Sequence, residues 1–500
     1  GADDTGGEMK LREMLDDIRA EEVRGDLDVD ITSVVYDSRR AVPGCLFTAV
    51  PGEKADGASF IGPAVEKGAA AVICERYPAK TPAGVAFVKV ADARRAMALA
   101  AAAFYGQPSR RLGLVGITGT NGKTTASYLV RAVLESAGAG VGLIGTISYV
   151  LPDGRELPAP NTTPESVDLQ RLLSEMADAG AGYCVMEVSS HAVALKRVAG
   201  CGFKARVFTN FTQDHLDFHG TMEEYYAAKK AFFTDTESVN VVNIDDPKGR
   251  DLAGSAKGRV ITYGINNDAD VTAHDIRLAP EGASFTLMTP SGPVKISSGL
   301  VGRHNIYNIL SAAGACIALG MTPDDVARGI AKAGEVPGRL EKVEAGQDFI
   351  VLVDYAHTED ALERVLTAAR EFTRGRLISV FGCGGDRDKT KRPKMGFISS
   401  RLSDITVLTS DNPRTEDPAE IMRQAEAGII SEGSKAKGVG YFAVPDRAEA
   451  IRFAVGMAYR GDTVLIAGKG HEDYQIIGDR KFHFDDRLAA REAILTRACA

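Results

Sequence analysis

Apolar positions recur along the chain in two rhythms, and the way they alternate divides it. A short helical pattern at Met9 to Arg19 precedes brief β-type runs, Ser33 to Tyr36 and Leu46 to Val50, punctuated by Pro43-Gly44 and Pro51-Gly52. Ala91 to Tyr105 reads as an alanine-rich helix ended by Gly106-Gln-Pro108, and a fresh apolar strand, Leu112 to Ile117, begins beyond it. Strands at Tyr183 to Val188, Ala205 to Thr209 and Val239 to Ile244 then alternate with helical stretches. That is the spacing of βαβ units in a mainly parallel sheet with helices on both faces. The Gly-rich region around Gly254 to Gly299 reads as short antiparallel strands, and the helix Asn305 to Leu319 follows it. Beyond Val336-Pro-Gly-Arg339 a second strand series, Phe349 to Val353, Leu377 to Phe381, Ile405 to Thr409 and Thr463 to Ala467, has a Rossmann-like layout.

The pattern predicts an α/β protein of three domains: a small α/β domain over 1–108, a central domain over 109–336 with a mainly parallel sheet, and a Rossmann-like domain over 337–500. Length agrees, since single cores stop growing near about 250–300 residues. Hydrophobic residues make up 44% and charged residues 25%, the mixture of an ordinary soluble protein. No segment approaches the roughly 18 uninterrupted apolar residues of a membrane span. The formal net charge of -8 argues against a nucleic-acid binder working by bulk electrostatics, and leaves room for a local basic pocket for an anionic small molecule. Seven scattered cysteines (45, 74, 184, 201, 316, 383, 499) with no Cys-x-x-Cys fit reduced thiols in a cytoplasmic protein. Gly1 to Gly7 is polar, unlike a signal peptide, and reads as an appended remnant before Met9. The oligomeric state is left open, a monomer being compatible with the sequence.

The strongest chemical signal is Gly116-Ile-Thr-Gly-Thr-Asn-Gly-Lys-Thr-Thr125, which leaves a strand and enters a helix. Such a loop aims backbone N–H groups at phosphates, and glycines at 116, 119 and 122 permit the close approach. Gly119, Thr120, Asn121, Gly122, Lys123, Thr124 and Thr125 form the expected ATP contact set. Lys123 reaches the outer phosphates, and the Thr124 hydroxyl is placed to ligate Mg²⁺. The usual pattern has glycine where this chain has Ile117, so the match is to a variant loop. Glu187 ends an apolar strand, where an acid makes poor core and a good second Mg²⁺ contact; a surface ion pair is its bland alternative. His215 and His219 gather with Asp214 and Asp217 after another strand. Zinc is the weaker reading there, because the glutamate of His-Glu-x-x-His is missing and no cysteine is near. Oxygen-rich surroundings favour Mg²⁺ with one imidazole, His215, against the alternative of satisfied surface histidines.

Gly116 to Thr125, Asn161-Thr-Thr-Pro164, Glu187 to His191, Asp214-His215, Gly302 to Asn308 and Asp354-Tyr-Ala-His357 together resemble the Mur ligases of peptidoglycan synthesis, over nearly the whole chain. Tyr36-Asp-Ser-Arg39, Gly382 to Asp388, Asp411-Asn-Pro-Arg414 and Gly468-Lys-Gly-His-Glu472 resemble the members that add the third amino acid. The resemblance implies an ATP-dependent amide-bond-forming ligase acting through an acyl phosphate. Its N-terminal domain would hold the UDP-sugar, its central domain ATP, and its C-terminal domain the incoming amino acid. It implies Lys123, Lys229, Glu187 and His215 as catalytic residues. Thr124, Glu187, His215 and a carbamylated Lys229 would hold Mg²⁺, although Lys229 by itself reads as a solvated helix residue. Ser38, Asn161, Thr162, Thr163, Ser189 and Arg197 are implied contacts to UDP-MurNAc-L-Ala-D-Glu, with Leu195 standing where some members carry a glutamine. Asn305 and Asn308 match adenine-side positions, and Asp354 and Arg339 the ribose and phosphate side.

The family divides between L-lysine and meso-diaminopimelate, which carries a second carboxylate. A fixed guanidinium fork meets such a carboxylate. The implied amino-acid site is Arg387, Asp411, Asn412, Pro413, Arg414, Gly468 and Glu472, with Arg414 and Arg387 facing the carboxylate and Glu472 the distal ammonium, so meso-diaminopimelate is expected. Three alternatives stay open: a lysine-adding relative, a folylpolyglutamate synthetase-like ligase, and a phosphate-loop switch that binds ATP without joining substrates.

Overall fold

The computed structural model describes residues 7–52, 56–234, 237–279 and 281–498. Cys499 and the start of the Gly1 to Gly7 segment lie outside these. The N-terminal sheet runs in the order Ala20–Arg24, Ala86–Val90, Ala71–Cys74, Cys45–Thr48, Ser33–Val35, and is parallel except at its Ala20–Arg24 edge. Its strands are fully buried runs at Cys45–Thr48 and Ala71–Cys74, as a parallel sheet covered on both faces requires. The alanine-rich helix is Ala93–Phe104, capped by Asp92, whose side chain accepts from the Arg95 N–H. The predicted helix at Met9 to Arg19 shrinks to Leu11–Met14, flanked by the strands Met9–Lys10 and Ala20–Arg24. Leu11 and Met14 alone of that stretch bury fully, and one turn suffices to bury them.

The central sheet has eleven strands. Seven run parallel, in the order Val141–Ile144, Tyr183–Glu187, Gly113–Thr118, Phe203–Phe208, Val239–Asn243, Val260–Gly264, Val271–Ala279. Antiparallel strands extend both ends. The region expected as short antiparallel strands is therefore mixed. Val260–Gly264 joins the parallel series, while Val271–Ala279, Gly282–Thr289 and Gly292–Ser298 form a long antiparallel meander. Helices Lys123–Ser136, Arg303–Ala318 and Pro323–Lys332 pack one face through Leu129, Val133, Ile309 and Ile330, and Ser166–Asp178 packs the other through Leu169, Leu172 and Met176.

The C-terminal sheet runs Glu341–Lys342, Ile350–Asp354, Thr463–Ala467, Leu377–Cys383, Ile405–Ser410, Tyr441–Ala443, parallel except at its first strand. Cys383 is the last residue of its strand, and burial pushes its thiol up to about 12. The six described cysteines are free and buried, and no helix among the described residues is long and apolar enough to cross a membrane. Side chains join the sheets across their boundaries. Tyr36 OH donates to Asp168 at 2.7 Å, Asn121 Nδ2 to Asp360 at 2.7 Å, and Arg339 Nη2 to Thr124 Oγ1 at 3.0 Å.

Candidate active site

Three neighbouring parallel strands deliver the site. The phosphate loop leaves the C-terminal end of Gly113–Thr118; Glu187 ends the strand on one side; Thr209 and Asn210 follow the strand on the other. Chain connections diverge at this point of the sheet, the crevice where open α/β sheets bind ligands. Gly119 (φ 147°) and Gly122 (φ 86°) occupy backbone space that side chains avoid, and a Cβ on them would fall 1.8 Å from Thr209 Oγ1 and 2.3 Å from Asn308 Oδ1. Gly116 has a different reason to be glycine. It lies within the strand, where a Cβ would strike Phe203 and Phe232 at 2.6 Å, so it serves packing rather than the loop.

The loop is held from the adjacent segment. Asn121 N donates to Asn210 Oδ1 at 2.9 Å, Thr209 Oγ1 donates to the Asn121 carbonyl at 2.6 Å, and Thr120 Oγ1 lies 3.1 Å from Tyr225 OH. Lys123 Nζ donates to the Gly119 and Thr120 carbonyls at 3.0 and 2.9 Å, curling over the loop it belongs to. Thr124 and Thr125 are buried in the first helical turn. Thr124 Oγ1 donates to Glu187 Oε2 at 3.0 Å, and Glu187 also accepts from Thr146 N at 2.9 Å and Thr146 Oγ1 at 3.1 Å. Glu187 is 1% exposed, which removes the surface ion pair as its explanation.

Lys229 is equally buried, at 1% exposed, on the inward face of helix Met222–Lys230 with Tyr225. The expectation of a solvated helix residue therefore fails. Its Nζ donates to the same Gly119 carbonyl at 2.9 Å. Desolvation, then repulsion from Lys123, holds the Lys229 ammonium well below its ordinary range, against a weaker pull from Asp214. Burial also lowers Lys123, opposed by Glu187 and Asp214. His215, in a left-handed conformation (φ 53°), has its imidazole lowered by burial, with Asp214 opposing. Burial pushes Asp214 up, but His215, His357 and Lys391 outweigh it and hold the carboxyl low. His219 Nε2 is engaged by Ser190 Oγ at 2.8 Å, so His215 and His219 do not stand as a free imidazole pair. The Thr124 hydroxyl beside the buried Glu187 carboxylate fits a hard, oxygen-seeking cation such as Mg²⁺, which takes its other ligands from phosphates and water. An ammonium at Lys229 is no ligand; a carbamate there would be.

A cavity of about 390 Å³ opens beside Asn121 and Gly122 and is lined further by Asn243, His304, Tyr307, Asn308 and Arg364. Asn308 thus reaches the cavity, its Nδ2 donating to Asn305 Oδ1 at 2.9 Å, while Asn305 Nδ2 donates to the Val301 carbonyl at 2.8 Å. Sequence reasoning missed His304, Tyr307 and Arg364, although His304 and Tyr307 flank the asparagines it named. Arg339 reaches Thr124, whereas Asp354 is turned to backbone, accepting from Leu340 N and Ala356 N at 2.8 Å each, and is absent from the cavity wall.

Among the other expected residues, Asn161, Thr162 and Thr163 approach the acid: Thr162 Oγ1 is 3.1 Å from Thr146 Oγ1, and Thr163 Oγ1 donates to the Glu187 carbonyl at 2.8 Å. The Asn161 carbonyl accepts from Tyr149 OH. Ser189 caps helix Ser190–Ala194, and Arg197 pairs with Glu165 at 2.6 Å while donating to the Thr163 carbonyl at 3.0 Å. Ser38 sits apart, in the turn Ser38–Arg40 of the N-terminal sheet.

The C-terminal group forms a second cluster. Asp411 and Asn412 are buried after strand Ile405–Ser410, and Asn412 Nδ2 donates to Glu472 Oε2 at 3.0 Å. Arg414 (φ 53°) donates from Nη1 to the Gly385 carbonyl at 2.7 Å, while the exposed Arg387 donates from Nη1 to the carbonyl of its neighbour Asp386 at 2.9 Å. Pro413 packs its carbonyl where a Cβ on Gly385 would sit. Gly468 (φ 123°) makes room for Asp411 Oδ2, 3.0 Å from where a Cβ would be.

Comparison with known proteins agrees with this layout. Residues 30–105 match the description "Mur ligase family, catalytic domain", 117–316 "Mur ligase middle domain" and 338–470 "Mur ligase, glutamate ligase domain". The chain is 48% identical over 497 residues to the UDP-N-acetylmuramoyl-L-alanyl-D-glutamate--2,6-diaminopimelate ligase of Geobacter metallireducens, covering 96% of this chain and 97% of that protein. It is 47% identical to the ligase of the same name from Geobacillus thermodenitrificans, over 98% of this chain and all of that one. A solved structure of a ligase of that name superposes with a TM-score of 0.70 at 31% identity, over 98% of this chain and 100% of that one. With a phosphate loop, a buried acid beside it and three matched domains in the family's order, the chain belongs to the Mur ligase family.

Proposed function

We propose that this protein is an ATP-dependent ligase that joins meso-2,6-diaminopimelate to UDP-N-acetylmuramoyl-L-alanyl-D-glutamate in the synthesis of peptidoglycan precursors. The observation that carries the ligase reading is the junction at Thr124, where Glu187 of the central sheet and Arg339 of the C-terminal domain meet one phosphate-loop hydroxyl. Such a junction brings a nucleotide site and the amino-acid domain into one reaction space. The side-chain choice is supported by relatives that share nearly the full length and whose names specify 2,6-diaminopimelate, and by the two guanidiniums at Arg387 and Arg414.

In this reading residues 1–108 hold the UDP-sugar, 109–336 hold ATP and 337–500 hold the amino acid. A carboxylate is a poor acyl donor, because its leaving group would be oxide. Transfer of the γ-phosphoryl group of ATP to the substrate carboxylate gives an acyl phosphate, which the amine attacks with loss of phosphate. The chain's own work is positioning and charge neutralisation. Loop N–H groups and Lys123 oppose phosphoryl charge; Asn308 and the cavity beside Gly122 take the nucleoside; Thr162, Thr163, Ser189 and Arg197 line the approach of the UDP-substrate to Glu187. Mg²⁺, held by Thr124, Glu187, His215 and a carbamate on Lys229, would neutralise the phosphate oxygens. Lys229 suits carbamylation because its buried amine loses its proton readily and so is available to react with CO₂. The enzyme works in the cytoplasm, where its nucleotide substrates are.

Phosphate release from ATP in the presence of UDP-MurNAc-L-Ala-D-Glu tests the proposal, with meso-diaminopimelate compared against L-lysine. Release that depends on diaminopimelate is expected. Release with lysine alone would keep the mechanism and overturn the role of Arg414, and no release with either would overturn the ligase assignment.

A further inference from the structure

Lys469 lies in the second cluster and is fully buried. No expectation from the sequence gave it a role, yet its side-chain partners Asp411, Asn412 and Glu472 all belong to the implied amino-acid site. Its Nζ lies 2.8 Å from Asn412 Oδ1, 2.8 Å from the Tyr474 carbonyl and 3.0 Å from Asp411 Oδ1. The first two contacts are hydrogen bonds, whereas Asp411 Oδ1 faces the ammonium as an ion-pair partner without a hydrogen bond. Fully buried and held by these acceptors, Lys469 acts on its neighbours in the pocket.

What it does instead follows from Asn412. The Asn412 amide accepts on Oδ1 from Lys469 Nζ and from Ile476 N (3.0 Å), and donates from Nδ2 to Glu472 Oε2 at 3.0 Å. With Oδ1 fixed by two donors, Nδ2 can only point at Glu472. Lys469 Nζ itself is 3.9 Å from the same carboxylate oxygen. Two acids, Asp411 and Glu472, share this buried pocket, and the lysine between them reduces their joint charge from two negatives to one. Glu472, farther from that ammonium at 3.9 Å than Asp411 at 3.0 Å, is the acid left to face an incoming ammonium group.

We propose that Lys469 is a positioning and specificity residue: through Asn412 and Asp411 it orients Glu472 and leaves that one carboxylate to receive the distal ammonium of the amino-acid substrate. The proposal rests on the diaminopimelate-ligase reading and deepens it. Burial and then Asp411 raise the Glu472 carboxyl above its ordinary range, while Lys469, Asn412 and Arg414 pull it back. Tyr355, Tyr474 and Arg447 complete the charged and titratable surroundings of Glu472. Removing the ammonium leaves burial and Asp411 less opposed, so Glu472 ionises only at higher pH.

The test is steady-state kinetics of Lys469→Met across pH, varying each of the three substrates in turn. The expected result is a KM for meso-diaminopimelate raised at least about tenfold, KM values for ATP and the UDP-substrate within about twofold, and an acid limb of kcat/KM for diaminopimelate displaced upward by about one pH unit or more. Should that variant not fold, Asn412→Ala cuts the same chain without stranding a buried charge. A lost direct contact to substrate would raise KM equally at every pH, whereas a released Glu472 moves the acid limb. An unmoved acid limb in the variant that folds, or equal losses for all three substrates, overturns the proposal. Failure of the ligase reading would show separately, as wild-type enzyme that releases no phosphate with diaminopimelate.

Discussion

Two buried lysines sit in the two halves of this active site, and they differ in their company. Lys229, beneath the phosphate loop, donates to the Gly119 carbonyl, rests over the Tyr225 ring and faces a second cation, Lys123. Lys469, in the amino-acid pocket, pairs with Asp411 and is bonded to Asn412 and the Tyr474 carbonyl. Burial is the same; the neighbours decide the chemistry. A desolvated amine beside another cation sheds its proton and becomes available to react. An ammonium ringed by acceptors is structural, and removing it strands its partners. On the proposed reading the same residue type serves as a reactive group in one region and as an organiser in the other.

The largest expected effect tests the reactive side. Lys229→Ala should lower kcat by about 10³-fold, the upper range for loss of one group that stabilises charge in the transition state, with the protein folded and ATP still bound. Incubation of the wild type with ¹³C-bicarbonate should give a carbamate resonance that is missing from Lys229→Ala. A silent wild-type spectrum together with a mild kinetic effect would reduce Lys229 to a packing residue like any other.

Stability separates the two lysines next. Lys469→Met should destabilise the C-terminal domain by about 3–5 kcal/mol, the cost of breaking a buried pair and leaving the acid uncompensated. Lys229→Met removes a buried cation with no such partner, and should leave the thermal midpoint unchanged or raised when CO₂ is excluded. Equal losses in the two variants, read by calorimetry, would erase the distinction. A smaller effect sharpens the pocket side. Arg414→Ala should raise the KM for meso-diaminopimelate by about 10–100-fold, the range for a charge-assisted hydrogen bond, and leave the KM for ATP unchanged. A KM for diaminopimelate that stays put would move the second carboxylate to Arg387.

The phosphate loop was legible because its demands are local. Gly119 and Gly122 sit at backbone angles that a sequence signals by glycine alone, and Lys123-Thr124 opens a helix whose apolar face is periodic. Gly116 was misread because packing against Phe203 and Phe232 leaves the same mark in a sequence as a tight turn. The three-sheet architecture was legible from strand spacing, but the parallel membership of Val260–Gly264 was not, since short strands do not declare their partners. The burial of Lys229 was hidden as well. Two adjacent lysines end helix Met222–Lys230, each four residues after a buried tyrosine, so the spacing does not show which one turns inward. The task of Lys469 is not legible from its own segment, because Asp411 and Asn412 come from a strand end more than fifty residues earlier in the chain.

The least visible contact joins the regions being compared. Asp360, near the start of helix Glu359–Phe372, accepts from Asn121 Nδ2 at 2.7 Å and from Thr212 Oγ1 at 3.1 Å, and pairs with Arg364 at 2.9 Å. Acids in the first helical turn are ordinary there, since they complement the helix dipole, so nothing in the sequence distinguishes this one. Its position nonetheless ties the amino-acid domain to the phosphate loop and to an arginine of the nucleotide cavity. Asp360→Ala removes one acceptor shared by both domains, which at about 1 kcal/mol corresponds to roughly fivefold in ATP affinity. The KM for ATP should therefore rise about fivefold while the KM for diaminopimelate stays within twofold, and Asp360→Asn, which keeps one acceptor oxygen, should fall between. An unchanged KM for ATP in Asp360→Ala would mean that the other contacts between these domains, Arg339 to Thr124 and Lys394 to Gln213 among them, suffice to hold the nucleotide site.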